Sequence, residues 1–505
     1  MKSQVKLGIV LSYILIILNA LYGLFLTPFI IRQIGAEDYG VYRTITALTS
    51  SLMVMDLGIG NTVLRYIAKY RAEKEENRIS NFAAMSLIQS LLLCAIILLT
   101  CCVFFFLIRP MYSNTMDERQ IDMARGIFVL LSINLICHVM ENVLNGIIKG
   151  YNNFVFGNGI KLLRLVIRIA LIVALLTFLK SPFTIVIIDL AITVACLFAE
   201  YIFIRFKLHL IIKLSKWEKA IFVESGIYTV LMFLTSIAAQ VDGNLDNVVI
   251  GALLGPQLVT VYSIGLLIFS MYKNISVAVS GVMLPTVSNL LNEENGEEKV
   301  FNLVVKAGRF QFILLGAVVV GFAVIGKEFI NLWMGSEYSD VYIITLILLI
   351  PALWELSVNV CLSILRAKNK IAFRTIVIFI GTLINAVITF VLVKNWSYIG
   401  AAIGTSVSCI LGSLITMNIY YIKVMKIPIF SIYKRIIHRT WLCLIISALG
   451  LFGVSRLIYG SWLAFVIQFI VFCIIYAATL LLFGLNKEEK KRLPIIGGFF
   501  SKISR

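Results

Sequence analysis

Apolar positions in this chain run in stretches of about 20 residues or more, broken by short polar turns, from one end to the other. A helix of that length crosses a bilayer's hydrocarbon core. The pattern predicts about fourteen such spans, at residues 7–31, 41–68, 82–108, 126–148, 155–179, 182–204, 221–250, 258–285, 305–325, 341–365, 372–393, 398–422, 441–457 and 462–483. A transmembrane barrel would need alternating segments about half as long, and none occur. The fold class expected is therefore an all-α polytopic membrane protein. The last two spans hold almost nothing polar beyond Gln468, so they read as an accessory pair whose faces are apolar all round.

A weak internal repeat organises the rest. The stretch TPFIIRQIGAEDYGVYRTITAL from Thr27 is answered by DNVVIGALLGPQLVTVYSIGLL from Asp246, with Gly35 and Tyr42 falling on Gly255 and Tyr262 at the same spacing. A second echo sets Ile147–Asn153 against Ile364–Lys370. Halves that answer each other suggest two pseudo-symmetric six-helix lobes, as in many transporters. The expected division is 1–206 for the first lobe, 207–220 for a basic linker, 221–425 for the second lobe, 426–485 for the accessory pair and 486–505 for a basic tail. The linker, KLHLIIKLSKWEK, reads either as a helix lying in the interface with Trp217 at headgroup level or as an ordinary basic connection.

Composition agrees with the pattern. Hydrophobic residues make up 60% of the 505, charged residues only 14%, and a soluble protein could not hide that much apolar surface. The formal net charge of +18 would suggest nucleic acid in a soluble protein. Here the basic residues sit in loops between spans, about thirty on one side against about seven on the other, which sets topology and puts both termini in the cytoplasm. No nucleic-acid motif accompanies the charge. The nine cysteines lie inside apolar spans without ligand spacing, so no metal or disulfide is expected. The opening MKSQVK followed by a full span reads as a retained first helix.

Ionisable groups inside spans are costly and face a cavity or a partner. Lys161, Arg164 and Arg168 stand at i, i+3 and i+7, one cationic face of one helix with no partner on that helix. Lys273 lies near mid-span in its own segment and Arg65 in the inner third of another. The acids are Asp56, Asp242, Asp246, Glu141 and Glu355. Glu141 shares a face with Asn134, His138 and Asn145; Glu355 is expected to share one with Asn359 and Arg366. Each acid reads as either a site for a coupling H+ or Na+ or the salt-bridge partner of a nearby cation. No nucleophile–base pair, phosphate-binding glycine motif or metal spacing is present, so no catalytic residues and no bound cofactor are expected.

The stretches LTPFIIRQIGAEDYGVYR, DLGIGNTVLRYIAKY and LDNVVIGALLGPQLVTVYSIG resemble the oligosaccharide flippase family. These are the Wzx-type and polysaccharide-export proteins of the multidrug/oligosaccharidyl-lipid/polysaccharide flippase superfamily. The resemblance implies two six-helix lobes in a V around a central cavity that opens alternately to each side. It implies movement of an undecaprenyl-diphosphate-linked sugar from the cytoplasmic to the outer leaflet of the bacterial plasma membrane, alongside polymerase or export machinery. The cationic face fits an anionic diphosphate, with Arg168, Arg164, Lys161, Lys273 and Arg65 as the receptor and the guanidinium forks matched to phosphate oxygens. Four other readings compete: a drug or cation antiporter of the same superfamily, which calls for an acidic lumen; a lipid II flippase, which shares the cationic one; a membrane polysaccharide polymerase; and a non-transporting scaffold, which calls for Arg168 and Lys273 each fully paired with a buried acid. A polymerase would carry its chemistry in a large outer loop, and the longest here, 109–125, is short.

Overall fold

The computed structural model describes residues 2–52, 59–227, 229, 244–281, 283–368, 370–486 and 489. Among them every regular element is helical. The first half holds α1 (Lys2–Ile34), α2 (Ala36–Leu52), α3 (Ile59–Ala72), α4 (Glu76–Tyr112), α5 (Glu118–Gly150), α6 (Phe154–Leu176) and α7 (Pro182–Ile202). The second holds α8 (Leu245–Leu254), α9 (Pro256–Ser280), α10 (Met283–Leu291), α11 (Gly296–Trp333), α12 (Val341–Ser357), α13 (Cys361–Ala367), α14 (Ile371–Ser408), α15 (Met417–Lys423), α16 (Ile429–Ile437), α17 (Thr440–Leu457) and α18 (Trp462–Thr479). Eight described helical segments are long and apolar enough to cross a membrane, and the pair α12 and α13, bent by 51°, makes a ninth if it is one span. The chain is a multi-pass membrane protein.

The helix starts follow from local sequence. Asp117 caps α5: its carboxylate accepts from the Gln120 amide at 2.6 Å, while the Gln120 side chain accepts from the Asp117 N–H at 3.3 Å. Ser181 accepts from the Phe183 amide and Pro182 fills the first helical position of α7. Along α4 the residues Leu92, Leu99, Val103 and Phe106 are exposed, Phe106 by 70%. A contiguous apolar belt of that kind is tolerable only against lipid.

Several expectations change. The span expected at 341–365 is broken: α12 runs on through Pro351 but ends before the turn at 358–360, and α13 sets off at 51° to it. Glu355 and Arg366 therefore stand on different helices and do not share a face. The linker is not an interfacial helix: 208–218 is non-helical. It is pinned to α4 by buried Asn81, whose Oδ1 accepts from the amides of Ser215 (2.9 Å) and Lys216 (3.0 Å) and whose Nδ2 donates to the Lys216 carbonyl at 2.8 Å. Those bonds satisfy a buried amide and leave the linker backbone no need of a helix. The break expected between 393 and 398 is present inside α14, where Trp396 and Ser397 leave helical geometry. The expected span at 221–250 falls largely on 228 and 230–243, outside the described residues, as does Asp56.

The chain divides into two compact units. One comprises Met1–Ser263 with Ile378–Ala401, the other Ile264–Val377 with Ala402–Arg505. The first has a core around Ile59, Val63, Ile67, Val143 and Ile147, where α3 meets α5. The second has a core around Val304, Phe312, Leu349, Leu356, Ile432 and Ile436. The repeat is visible within the first unit. Gly35 (φ 86°) and Gly255 (φ 93°) both take the left-handed conformation, each just before a helix start. Tyr42 and Tyr262, seven residues on, are both buried. The two repeat segments also touch, since Thr260 donates to the Ala36 carbonyl at 2.6 Å.

The tightest approach of the pair is at Gly40, where an added Cβ would stand 1.8 Å from the Pro256 carbonyl oxygen. Gly40→Ala is expected to destabilise the protein by about 1–3 kcal/mol or more, since backbone must move to admit it. Gly159→Ala, at a position with open space, is expected to be neutral; melting of the purified protein in detergent compares the two.

Candidate functional site

Within the first unit, α1, α2, α5, α6 and α7 enclose a cavity of about 490 Å³. The face expected of α6 lines it: Lys161, Arg164 and Arg168 all open onto it, as do Asn134, His138, Glu141 and Asn145 of α5. Helical spacing places both sets. On α5 the four polar residues recur at i, i+4, i+7 and i+11, a single face one above another.

The arginines are not free. Arg164 donates through Nη1 to both oxygens of Glu141, at 3.0 and 2.9 Å, and through Nη2 to His138 Nε2 at 3.2 Å and to Thr193 Oγ1. Thr193 passes its own proton to the Asp189 carbonyl at 2.7 Å. Arg168 makes a two-pronged pair with Asp189, Nη2 to Oδ2 at 2.7 Å and Nε to Oδ1, and its guanidinium lies 5.0 Å from the Tyr22 ring centre. The guanidinium carries no acceptor, so His138 Nε2 must accept; its proton is then on Nδ1, 3.3 Å from Glu141. That tautomer leaves His138 neutral. Lys161 is exposed and makes no hydrogen bond or ion pair among the described residues. Among the described residues the lining thus holds three cations and two carboxylates, with one positive charge left over.

The sequence pattern leaves these cations without a partner on their own helix and offers Glu141 as either an ion site or a salt-bridge partner; in the structure Glu141 pairs with Arg164. Sequence reasoning missed Asp189, Thr193 and Glu200. The signal was available: Asp189, Thr193, Cys196 and Glu200 stand at i, i+4, i+7 and i+11 on α7, the same spacing as the polar face of α5. Glu200 is fully buried and accepts from Asn145 Nδ2 at 2.8 Å, so the two faces are stitched together below the cavity.

The remaining candidates lie elsewhere. Arg65, exposed on α3, does not line this cavity. Lys273 belongs to the second unit, exposed on α9 with its ammonium 5.2 Å from the Phe269 ring centre. Glu355, also in the second unit, sits 3.9 Å from Arg374 and accepts from Cys409 Sγ at 3.3 Å. Asp246 is buried in the first unit, where it accepts from the repeat tyrosine Tyr262, from Thr389 at 3.2 Å and from Asn385 at 3.4 Å. Asp242 lies outside the described residues.

A family model described as "Polysaccharide biosynthesis protein" matches residues 29–343. A Shigella flexneri protein named as a candidate O-antigen transporter is 22% identical over 403 residues, covering 78% of this chain and 92% of that protein. Among solved structures, the lipid II flippase MurJ in an inward closed conformation superposes with a TM-score of 0.67 at 14% identity, covering 99% of this chain and 100% of that one. An inward-facing multidrug resistance MATE family transporter of the MOP superfamily gives 0.60 at 18% identity, covering 80% and 94%. These last two likenesses establish the fold.

Removing one member of a buried pair strands the other's charge. Arg168 and Asp189 keep 25% and 18% of their side-chain surface, so Asp189→Ala is expected to cost about 1–3 kcal/mol, below the range for a fully buried pair. Arg168→Met with Asp189→Leu is expected to recover most of the loss. A double-mutant cycle on detergent melting measures both, and additive losses would contradict the pairing.

Proposed function

Because the chain belongs to the polysaccharide biosynthesis protein family, we propose that it is a flippase for an undecaprenyl-diphosphate-linked oligosaccharide and not an enzyme. It carries the sugar from the cytoplasmic to the outer leaflet of the bacterial plasma membrane. The observation that carries this reading is the cavity of the first unit, lined by Lys161, Arg164 and Arg168 with excess positive charge. The kinship with a protein named as a candidate O-antigen transporter and the fold held in common with a lipid II flippase support it.

A diphosphate cannot cross hydrocarbon without cations to replace its water. Lys161, exposed and without an acid partner among the described residues, makes first contact. The phosphate oxygens then compete with Glu141 and Asp189 for the two guanidinium forks. A carboxylate released in that exchange is free to take up H+ or Na+, which links substrate binding to an ion gradient through groups already in contact. The prenyl tail stays in lipid. In the full reading about fourteen spans form two six-helix lobes and an accessory pair, both termini face the cytoplasm and the substrate site opens alternately to each side. Polymerase or export machinery receives the product. Lys273 and Arg65 join the receptor only in states other than the one described.

A cation or drug antiporter is the second reading, and Glu141 and Asp189 are the residues that would favour it. Both are already engaged by arginine, and the lining retains positive charge, which repels a cationic substrate. A lipid II flippase shares the diphosphate chemistry and differs in the group the diphosphate carries.

The test is surface appearance of lipid-linked oligosaccharide in cells lacking their own flippase. Lys161→Ala is expected to lower it about ten-fold or more at normal expression and melting, with Lys161→Arg retaining most of the activity. Transport at the wild-type rate in Lys161→Ala would contradict the anionic-head mechanism.

A further inference from the structure

A second basic cavity, in the other unit, takes no part in this mechanism. It measures about 980 Å³ and is lined by Lys306 and Arg309 of α11, Lys434 and Arg435 of α16, His438, and Glu489 of the C-terminal segment. Its level in the membrane follows from α11. That helix has 38 residues and is about 57 Å long, against about 30 Å of hydrocarbon. Residues 310–326 contain no charge, so Arg309 marks the point where α11 leaves the apolar layer. The start of α17 at Thr440 and the turn after α18 at Gly484 come to the same end of the unit, because Arg309 joins them.

Arg309 is buried, with four of its five N–H groups engaged. It donates to the carbonyls of Arg435 (3.2 Å), His438 (3.0 Å) and Gly484, and pairs with Glu489 at 2.8 Å. Three of those acceptors are carbonyls at or just past the end of a helical segment, which lack partners within their own helices. Lys306 and Lys434 are exposed and have no ion-pair partner among the described residues, and the Arg435 guanidinium rests 5.0 Å from the Phe301 ring centre. Among the described residues four cations therefore surround one carboxylate. The amphipathic α16 buries Ile429, Ile432 and Ile436 and turns Lys434 and Arg435 outward, while Phe430 beside them is 76% exposed. Basic groups beside a bare aromatic ring at this depth suit a lipid headgroup.

We propose that this cavity binds the phosphate headgroup of an anionic phospholipid through Lys306, Lys434 and Arg435. Glu489 stands in it as a tethered competing anion, held by Arg309. The site is independent of the flippase reading and does not fall with it.

The test uses the purified full-length protein in neutral detergent, titrated with phosphatidylglycerol, phosphatidylcholine or inorganic phosphate, with binding read from the shift in melting. Phosphatidylglycerol is expected to bind about ten-fold or more tightly than phosphatidylcholine, and K306Q/K434Q/R435Q to lose that preference. Glu489→Gln is expected to tighten phosphatidylglycerol binding, a gain that misfolding cannot imitate. A triple variant with undiminished preference would overturn the site. Inorganic phosphate acting as strongly as the lipid would overturn the headgroup assignment and leave a free-anion site.

Discussion

A charge inside a membrane must find its counter-charge, and that constraint shapes the first unit. Arg164 and Arg168 on α6 are met by Glu141 on α5 and Asp189 on α7. Three helices are thereby locked in rotation and in height, because a one-residue turn of α6 would move each guanidinium about 100° away from its carboxylate. The polar cavity lies between these pairs because the paired groups hold the helices there. The arginines that secure the bundle are also the ones whose guanidinium forks match phosphate oxygens.

The second unit meets the same constraint differently. Arg309 is also buried, but most of its donors go to helix-end carbonyls and one to Glu489. It works as a clamp on helix ends at the membrane boundary, and the surplus positive charge is carried by exposed neighbours. Two basic cavities thus arise in one chain, one whose arginines are paired and whose described lining keeps a single positive charge in excess, the other with a larger excess.

Much of this was legible in the sequence. Apolar run length gave the class, and the diffuse motifs around Gly35 and Gly255 gave the family. Those glycines were informative because the chain must turn with positive φ at both places. The stripe Lys161, Arg164, Arg168 was legible because helical period alone puts three such residues on one face. What faces it was harder to read, since pairing between helices depends on packing that a linear pattern does not encode. Asp189 was a single acid in an apolar run, and only its register with Thr193 and Glu200 marks it. The break after α12 was hidden because the apolar pattern runs on through 358–360. The linker's form was hidden because it depends on Asn81, well over a hundred residues away in sequence.

The central claim is that the cavity of the first unit receives a diphosphate. It is tested most directly by equilibrium binding of the purified protein to a prenyl-diphosphate oligosaccharide, its monophosphate analogue and a cationic dye, each with pyrophosphate as competitor. The account predicts that the diphosphate binds in preference to the monophosphate, that pyrophosphate displaces it, and that the dye does not compete. Tight dye binding without any preference between the two phosphates would contradict it.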